Sequence, residues 1–476
     1  MKNRLREPNI AWLLIGLILL LQGCADKHTE PFDPNKPVTL TIMYDSGFES
    51  GVEEEFYNRF GEQFQLKYPN IDFHIIKEPE YNPELTAKEN EQALLAYIAK
   101  ERPDVLKLGP VRFETVAAAG KLIDLAPWIQ RDKFSLDGIY PPVIDAIKMK
   151  GRGTLYGLSP TFMSWALYYN KDLFERYGVT PPQDKTTWEQ VLDLAARFPV
   201  DGSPEERIYG FTQPFSSDSS IFALMESIAK TEQIALIDAA GTRLLFDSDG
   251  WKRITKLTVR SMNSNSVYFP VAVDLSRMLV DDPFLSGRAA MVVMGDSIAG
   301  DLQGMNQIRE NSIPPEEPLR WGIVPVPIDP VNPQSANDIT VFEMYGIGAD
   351  STAKAAAWEL VKFINGDEWA KAQSRTKDGG NLLARVAYNK DRYDHFDPEE
   401  IEAFYKIKPQ SGEEQRQIRQ VPPAFRTSFA EIVREELEAI IADKQSVDQA
   451  VQKIQKRGQA ELDSFNARTE ENNGVH

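Results

Sequence analysis

Thiols are nearly absent from this chain: Cys24 is the only cysteine among 476 residues. No intrachain disulfide can form, and no cluster of thiolates can hold a metal. Histidine is almost as scarce. The four are His28, His74, His395 and His476, and no pair has the spacing of metal ligands. No metal and no cofactor is expected. Positive charge is also in deficit, with 53 Lys and Arg against 71 Asp and Glu and a formal net charge of −18. So acidic a surface disfavours nucleic acid and anionic lipid as partners. The chain has no G-x-S-x-G, H-E-x-x-H or phosphate-binding loop, so no sequence motif points to catalysis.

Long apolar runs are confined to one place. Lys2, Arg4 and Arg6 precede an almost wholly apolar stretch over residues 10–21. A basic head, a short apolar run and small residues before a polar stretch describe an export signal. The run is shorter than the roughly 20 residues of a comfortable membrane span. Leu21-Gln22-Gly23-Cys24 closes it and resembles the bacterial lipobox, with Gln22 where a small residue is usual. The resemblance implies cleavage after residue 23 and lipid on Cys24. The expected location is then the extracytoplasmic face of the cell membrane, reached by the lipid alone. Loss of residues 1–23 takes the formal charge to about −20. Residues 24–37, with the Pro-rich run 31–37, read as a tether.

The rest is long enough for two lobes. Residues 38–44 alternate and are rich in β-formers. Val52, Phe56, Phe60 and Phe64 recur every four residues, as on one helix face. A second strand spans 71–76, a helix surrounds 93–99, and a third strand spans 103–108. Strand–helix–strand order of this kind predicts a largely parallel sheet and the α/β class. Residues 187–282 read as mostly helical, with Trp188, Val191, Leu192 and Ala195 as an apolar stripe. Strands return at 289–294 and 321–327, and a helix at 353–364. Helices dominate beyond Glu399. Ser446 and Gln449 are spaced as a capping box for the last long helix. The polar residues from Asn466 onward read as frayed.

Several blocks, taken together, resemble the extracellular solute-binding proteins of ABC importers, the large family that includes maltodextrin-binding members. The strongest is Gly153-Thr-Leu-Tyr156-Gly-Leu-Ser-Pro160, followed by Trp165-Ala-Leu-Tyr-Tyr-Asn170-Lys-Asp-Leu-Phe174, Pro181-Pro182 and Thr187-Trp188-Glu189. Pro103-Asp104-Val105, the run 119–125, Gly287-Arg-Ala-Ala-Met291 and the run 354–360 support it. The sequence departs from the family at Ser159, at Leu108, where an aromatic is usual, and at Gly295-Asp296-Ser297, where Gly-x-Trp is usual. The resemblance implies a two-lobed periplasmic-binding-protein fold of type II, with discontinuous lobes and a hinge. From the order of blocks, one lobe is expected to comprise 38–160 and 284–341, and the other 161–283 and 342–476. It further implies a monomer that binds a carbohydrate, most simply an oligosaccharide, between the lobes, hands it to permease subunits and performs no chemistry.

Sugars offer flat C–H faces to aromatic rings and hydroxyl rims to Asp, Asn and Arg. Tyr44 and Asp45 end the first strand, and ligands gather beyond the carboxyl ends of strands in parallel sheets. The resemblance adds a charged contact at Arg112, Phe162 at the first crossing between lobes, and Phe215 as a stacking ring after Gln213-Pro214. Asp296 and Ser297 lie in a strand-to-helix turn whose N–H groups could take a hydroxyl. Tyr345 lies at a later crossing, and Arg426 follows Phe425 where maltodextrin-type members carry a tryptophan. Arg112 and Arg426 together would suit an acidic sugar. Trp165 and Tyr168 read as core.

Three other readings fit the same residues. A polysaccharide-active enzyme needs two carboxylates about 5–10 Å apart, which 71 acids can always supply. A binding protein for a peptide or a metal chelate would share the fold. A sensory accessory would present its ligand to a receptor instead of a transporter.

Overall fold

The computed structural model describes residues 31–44, 51–214, 221–269, 281–312, 314–337, 339–376, 380–393, 396–397, 399–409 and 421–474. Cys24 and the apolar run before it lie outside the described residues, as do Asp45 and Phe215. The chain forms two compact units. The first contains the described residues up to Leu108, Thr115–Phe134 and Tyr345–Phe363; the second contains Gly109–Glu114, Ser135–Met344 and the described residues from Ile364 on.

In the first unit, β1 (Val38–Tyr44) pairs in parallel with β2 (Ile71–Lys77) on one side and β3 (Val105–Leu108) on the other. The strand Met344–Ile347 follows β3 in the sheet order. The expected helix face is real for Phe56, Phe60 and Phe64, which are fully buried, while Val52 is only half-buried. Their rings meet Phe73 at 5.0 Å, Tyr345 at 5.6 Å and Phe363 at 5.5 Å between centroids. The Pro103-Asp104-Val105 block has a structural task. Asp104 accepts the Thr41 amide at 2.9 Å and the Ser351 hydroxyl at 2.5 Å. One carboxylate thus ties the start of β3 to β1 and to the turn after Met344–Ile347.

The second unit is built on β4 (Thr161–Asn170), the longest strand of its sheet. Continuing in chain order, β5 (Phe211–Thr212), β6 (Val267–Tyr268), β7 (Met291–Gly295), β8 (Trp321–Pro325), β9 (Ile339–Thr340) and β10 (Leu382–Leu383) complete that sheet. β7, β8, β9 and β10 all pair with β4 antiparallel, while β5 pairs in parallel with β6 and β7. Trp188, Val191, Leu192 and Ala195 are buried as their spacing predicts. They share a core with Phe222, Trp251, Phe425 and Phe429 from other helices.

Two expectations need correction. Residues 284–341 were assigned to the lobe of residues 38–160, but β7 and β8 hydrogen-bond along β4 from Trp165 to Asn170, so they belong to the second unit. Residues 109–114 and 135–160, expected in the first lobe, also lie in the second unit, while 345–363 move the other way and complete the first. Block order carries no information about which ladder a strand joins. The C-terminus also differs from expectation. The final helix runs from Val447 to Gly474, and Asn466 is held there by donating to the Gly241 carbonyl at 3.0 Å. The capping box is formed, with Ser446 N to Gln449 Oε1 at 2.9 Å and Gln449 N to Ser446 Oγ at 3.2 Å.

Candidate ligand-binding residues

Four of the expected ligand contacts are fully buried in their own units, for separate physical reasons. Tyr44 ends β1 facing inward. Its hydroxyl donates to Glu55 Oε1 at 3.0 Å and accepts from Arg59 at 3.3 Å, and the Lys107 ammonium stands 4.2 Å from the ring centroid. Phe162, near the start of β4, packs its ring 5.2 Å from that of Tyr140. Tyr345 packs edge-on against Phe60. Rings placed this way leave no face for a sugar.

Asp296 is buried as well, and its polar groups are used by the backbone. Oδ1 accepts the Ser164 amide at 2.9 Å and Oδ2 accepts the Leu382 amide at 2.8 Å. The Asp296 amide donates to the Ser164 carbonyl at 3.0 Å. The N–H expected to take a hydroxyl is therefore already occupied. Burial is the main influence on the carboxyl and pushes it up to about 7; the two amides and the charge of Arg392 oppose that. Asp296 is a clasp joining β4, the end of β7 and β10.

Ser297, the next residue, is exposed and makes no side-chain cap to the helix Ile298–Glu310. Arg112 is half-buried beside the exposed Val111. Arg426 meets Glu226 in an ion pair, with its guanidinium carbon 6.0 Å from the Phe222 ring centroid. Its charge is already matched, which removes half of the reason for expecting an acidic sugar.

Two residues escaped the sequence reading. Gln213 is buried at the end of β5, and its amide nitrogen has no hydrogen-bond partner among the described residues. The Gln213-Pro214 dipeptide marked the position, but attention went to the ring after it. Phe342 is a large apolar side chain left in the open, 46% exposed. Periodicity gave no sign of it, because Val341 beside it is equally apolar. Among the described residues, no three His, Cys, Asp or Glu side chains are grouped to hold a metal ion.

The sequence model of the bacterial extracellular solute-binding proteins matches residues 51–371, well over half of the chain. The chain belongs to that family. Its solved relatives have the same two-lobed α/β fold. The sugar-binding protein MalE of Xanthomonas citri superposes with a TM-score of 0.59 at 20% identity, covering 91% of this chain and 99% of that one. An ABC substrate-binding protein of Listeria monocytogenes, solved with cycloalternan, gives a TM-score of 0.55 at 19% identity over 91% and 100%. Identities this low establish the fold alone. A Brucella abortus binding protein is 26% identical over 221 residues, 46% of this chain and 48% of the relative. The sn-glycerol-3-phosphate-binding periplasmic protein of Rhizobium meliloti is 29% identical over 112 residues, 23% and 26%. The chain thus spans about half the length of the first curated relatives it matches, or less. The family and the structural neighbours are binding proteins rather than enzymes. This solute-binding protein has, among its described residues, no helix long and apolar enough to cross a membrane.

Proposed function

We propose that this solute-binding protein is the substrate-binding subunit of an ABC importer, that it captures a carbohydrate between two lobes, and that it catalyses nothing. The observation that carries the reading is the family match over residues 51–371, together with one neighbour named as a sugar-binding protein and another solved with cycloalternan. The chain works as a monomer held to the outer face of the membrane by lipid on Cys24, with residues 1–23 removed. Two acyl chains anchor firmly because each buried CH₂ contributes about 0.8 kcal/mol. Ligand binding needs only a higher affinity for the closed arrangement of the lobes than for the open one, and that difference is the driving force for closure. Asp45, Arg112, Phe215 and Ser297 are the contacts we retain from the sequence. Tyr44, Phe162, Tyr345 and Asp296 are packed inside their own units, and Arg426 is held by Glu226.

A phosphorylated polyol is the second reading, favoured by the sn-glycerol-3-phosphate-binding relative. Calorimetric titration of the mature protein with maltose, raffinose, D-mannitol and sn-glycerol 3-phosphate separates the two. Binding of either oligosaccharide, with a fall in radius of gyration by small-angle scattering, supports the carbohydrate reading. Binding of sn-glycerol 3-phosphate alone replaces it with the second. Turnover of any of the four ends the claim that this is only a binding protein.

A further inference from the structure

Residues 31–37 read in the sequence as a free tether, yet they are docked on the first unit. Phe32 is half-buried between exposed neighbours. Its ring meets Tyr68 edge-on, with 5.3 Å between centroids and 85° between planes. Tyr68 in turn lies 4.9 Å from the buried ring of Phe64, and its hydroxyl donates to Glu359 Oε2 at 3.0 Å. Phe32 therefore extends an aromatic row that begins in the core of the first unit.

Hydrogen bonds hold the same segment. Residues 33–36 form a turn, in which the Lys36 amide donates to the Asp33 carbonyl at 3.3 Å and the Asn35 amide donates to Asp33 Oδ1 at 3.0 Å. Asn70, in the turn that leads into β2, donates from Nδ2 to the Pro34 carbonyl at 3.0 Å. The Asn70 carbonyl accepts the Val38 amide at 3.0 Å. One residue thus grips the chain at Pro34 and again where β1 begins. Pro31, Pro34 and Pro37 fix three φ angles beforehand, so docking costs less chain entropy than it would for a flexible sequence.

We propose that residues 31–37 are a clamp and not a linker: they fasten the lipid-bearing end of the chain to the first unit and hold the amino ends of β1 and β2 toward the bilayer. The proposal rests on the lipid anchor at Cys24 stated above. Only the eight residues 24–31 then separate the lipid from the first docked ring. Whatever their conformation, they reach no further than about 28 Å, against about 48 Å for residues 24–37 as a free tether. β1, β2 and β3 are parallel, so their carboxyl ends at Tyr44, Lys77 and Leu108 lie at the opposite end of the sheet from the lipid.

Chymotrypsin reads the clamp, because Phe32 is the first aromatic or large apolar residue after Cys24. A docked segment is cut only when it opens, so the rate follows the open population. The mature lipidated protein, reconstituted in phosphatidylcholine vesicles, should be released slowly as a product that begins at Asp33. Tyr68→Ala removes the ring that Phe32 packs on, and Asn70→Ala removes the bond to Pro34. Release should be about three- to tenfold faster in each. Asn70 is exposed, so Asn70→Ala should melt within about 2 °C of wild type, and it decides the matter if Tyr68→Ala is less stable. If Asn70→Ala is released at the wild-type rate, the clamp is wrong and the lipid anchor stands. If mass spectrometry of the wild-type amino terminus finds no acyl group on Cys24, the anchor reading falls and the membrane-facing role of the clamp falls with it.

Discussion

Asp296 and Ser164 hold each other twice: the Ser164 amide donates to Asp296 Oδ1 at 2.9 Å, and the Asp296 amide donates to the Ser164 carbonyl at 3.0 Å. With Leu382 N on the other carboxylate oxygen, three elements meet on one buried side chain. Asp296→Ala would strip partners from two amides next to a packed core. We expect a loss of about 2–4 kcal/mol in urea unfolding. A loss below about 0.5 kcal/mol would show that the clasp carries nothing.

The same residue should leave a signature in pH. Burial raises the folded carboxyl from 3.8 to about 7, so the folded state binds the proton more tightly than the unfolded chain. Its contribution to stability is full below about pH 4 and is lost as pH rises to about 7. Asp296→Asn cannot titrate. The stability of wild type relative to Asp296→Asn should therefore decline between pH 4 and 7 in thermal unfolding. A flat or rising difference would contradict the assignment.

Asp132 behaves in the opposite sense. Hydrogen bonds from Arg131, then from Lys362 and Trp358, hold its carboxyl well below the usual carboxylate range against the cost of burial. Its contribution is present above about pH 4 and disappears as pH falls through the depressed folded value. Asp132→Asn should cost about 1–2 kcal/mol near pH 7 and less near pH 2. Denaturant melts at the two pH values read the difference directly.

Gly458 lies on the final helix where Phe429 and Leu244 close in. A β-carbon there would stand 2.4 Å from the Phe429 ring and 2.7 Å from the Leu244 side chain. Glycine to alanine inside a helix normally gains up to about 1 kcal/mol. Overpacking costs about 1–3 kcal/mol and should win here. Gly458→Ala should lower the denaturation midpoint, and an increase would mean that the two helices slide apart freely.

Arg426 and Glu226 predict a separation of stability from affinity. Arg426→Ala leaves the partly buried Glu226 without its cation and should cost about 1–3 kcal/mol of stability. Affinity for a bound oligosaccharide should change less than threefold, about 0.6 kcal/mol. A large loss of affinity at unchanged stability would return Arg426 to the binding site.

Much of the fold was legible because local chemistry repeats at the periods of its elements. The β-rich alternation at Val38–Tyr44, the four-residue recurrence of Phe56, Phe60 and Phe64, and the Ser446–Gln449 cap each follow from neighbours within one turn or one strand. The family blocks were equally local. The unit boundaries were not legible, because β7 and β8 join β4 across more than a hundred residues and nothing in their composition names that partner. The binding residues were legible only by type. A tyrosine at the end of a strand is as good a core ring as a sugar platform, and only packing sends Tyr44 and Tyr345 inward while holding Phe342 out. The sequence by itself determined the class, the family and the helical faces, all set by short-range periodicity. Tertiary structure decided which carboxylate is a clasp, which arginine is matched and which ring stays exposed, because those outcomes depend on groups brought together from distant parts of the chain.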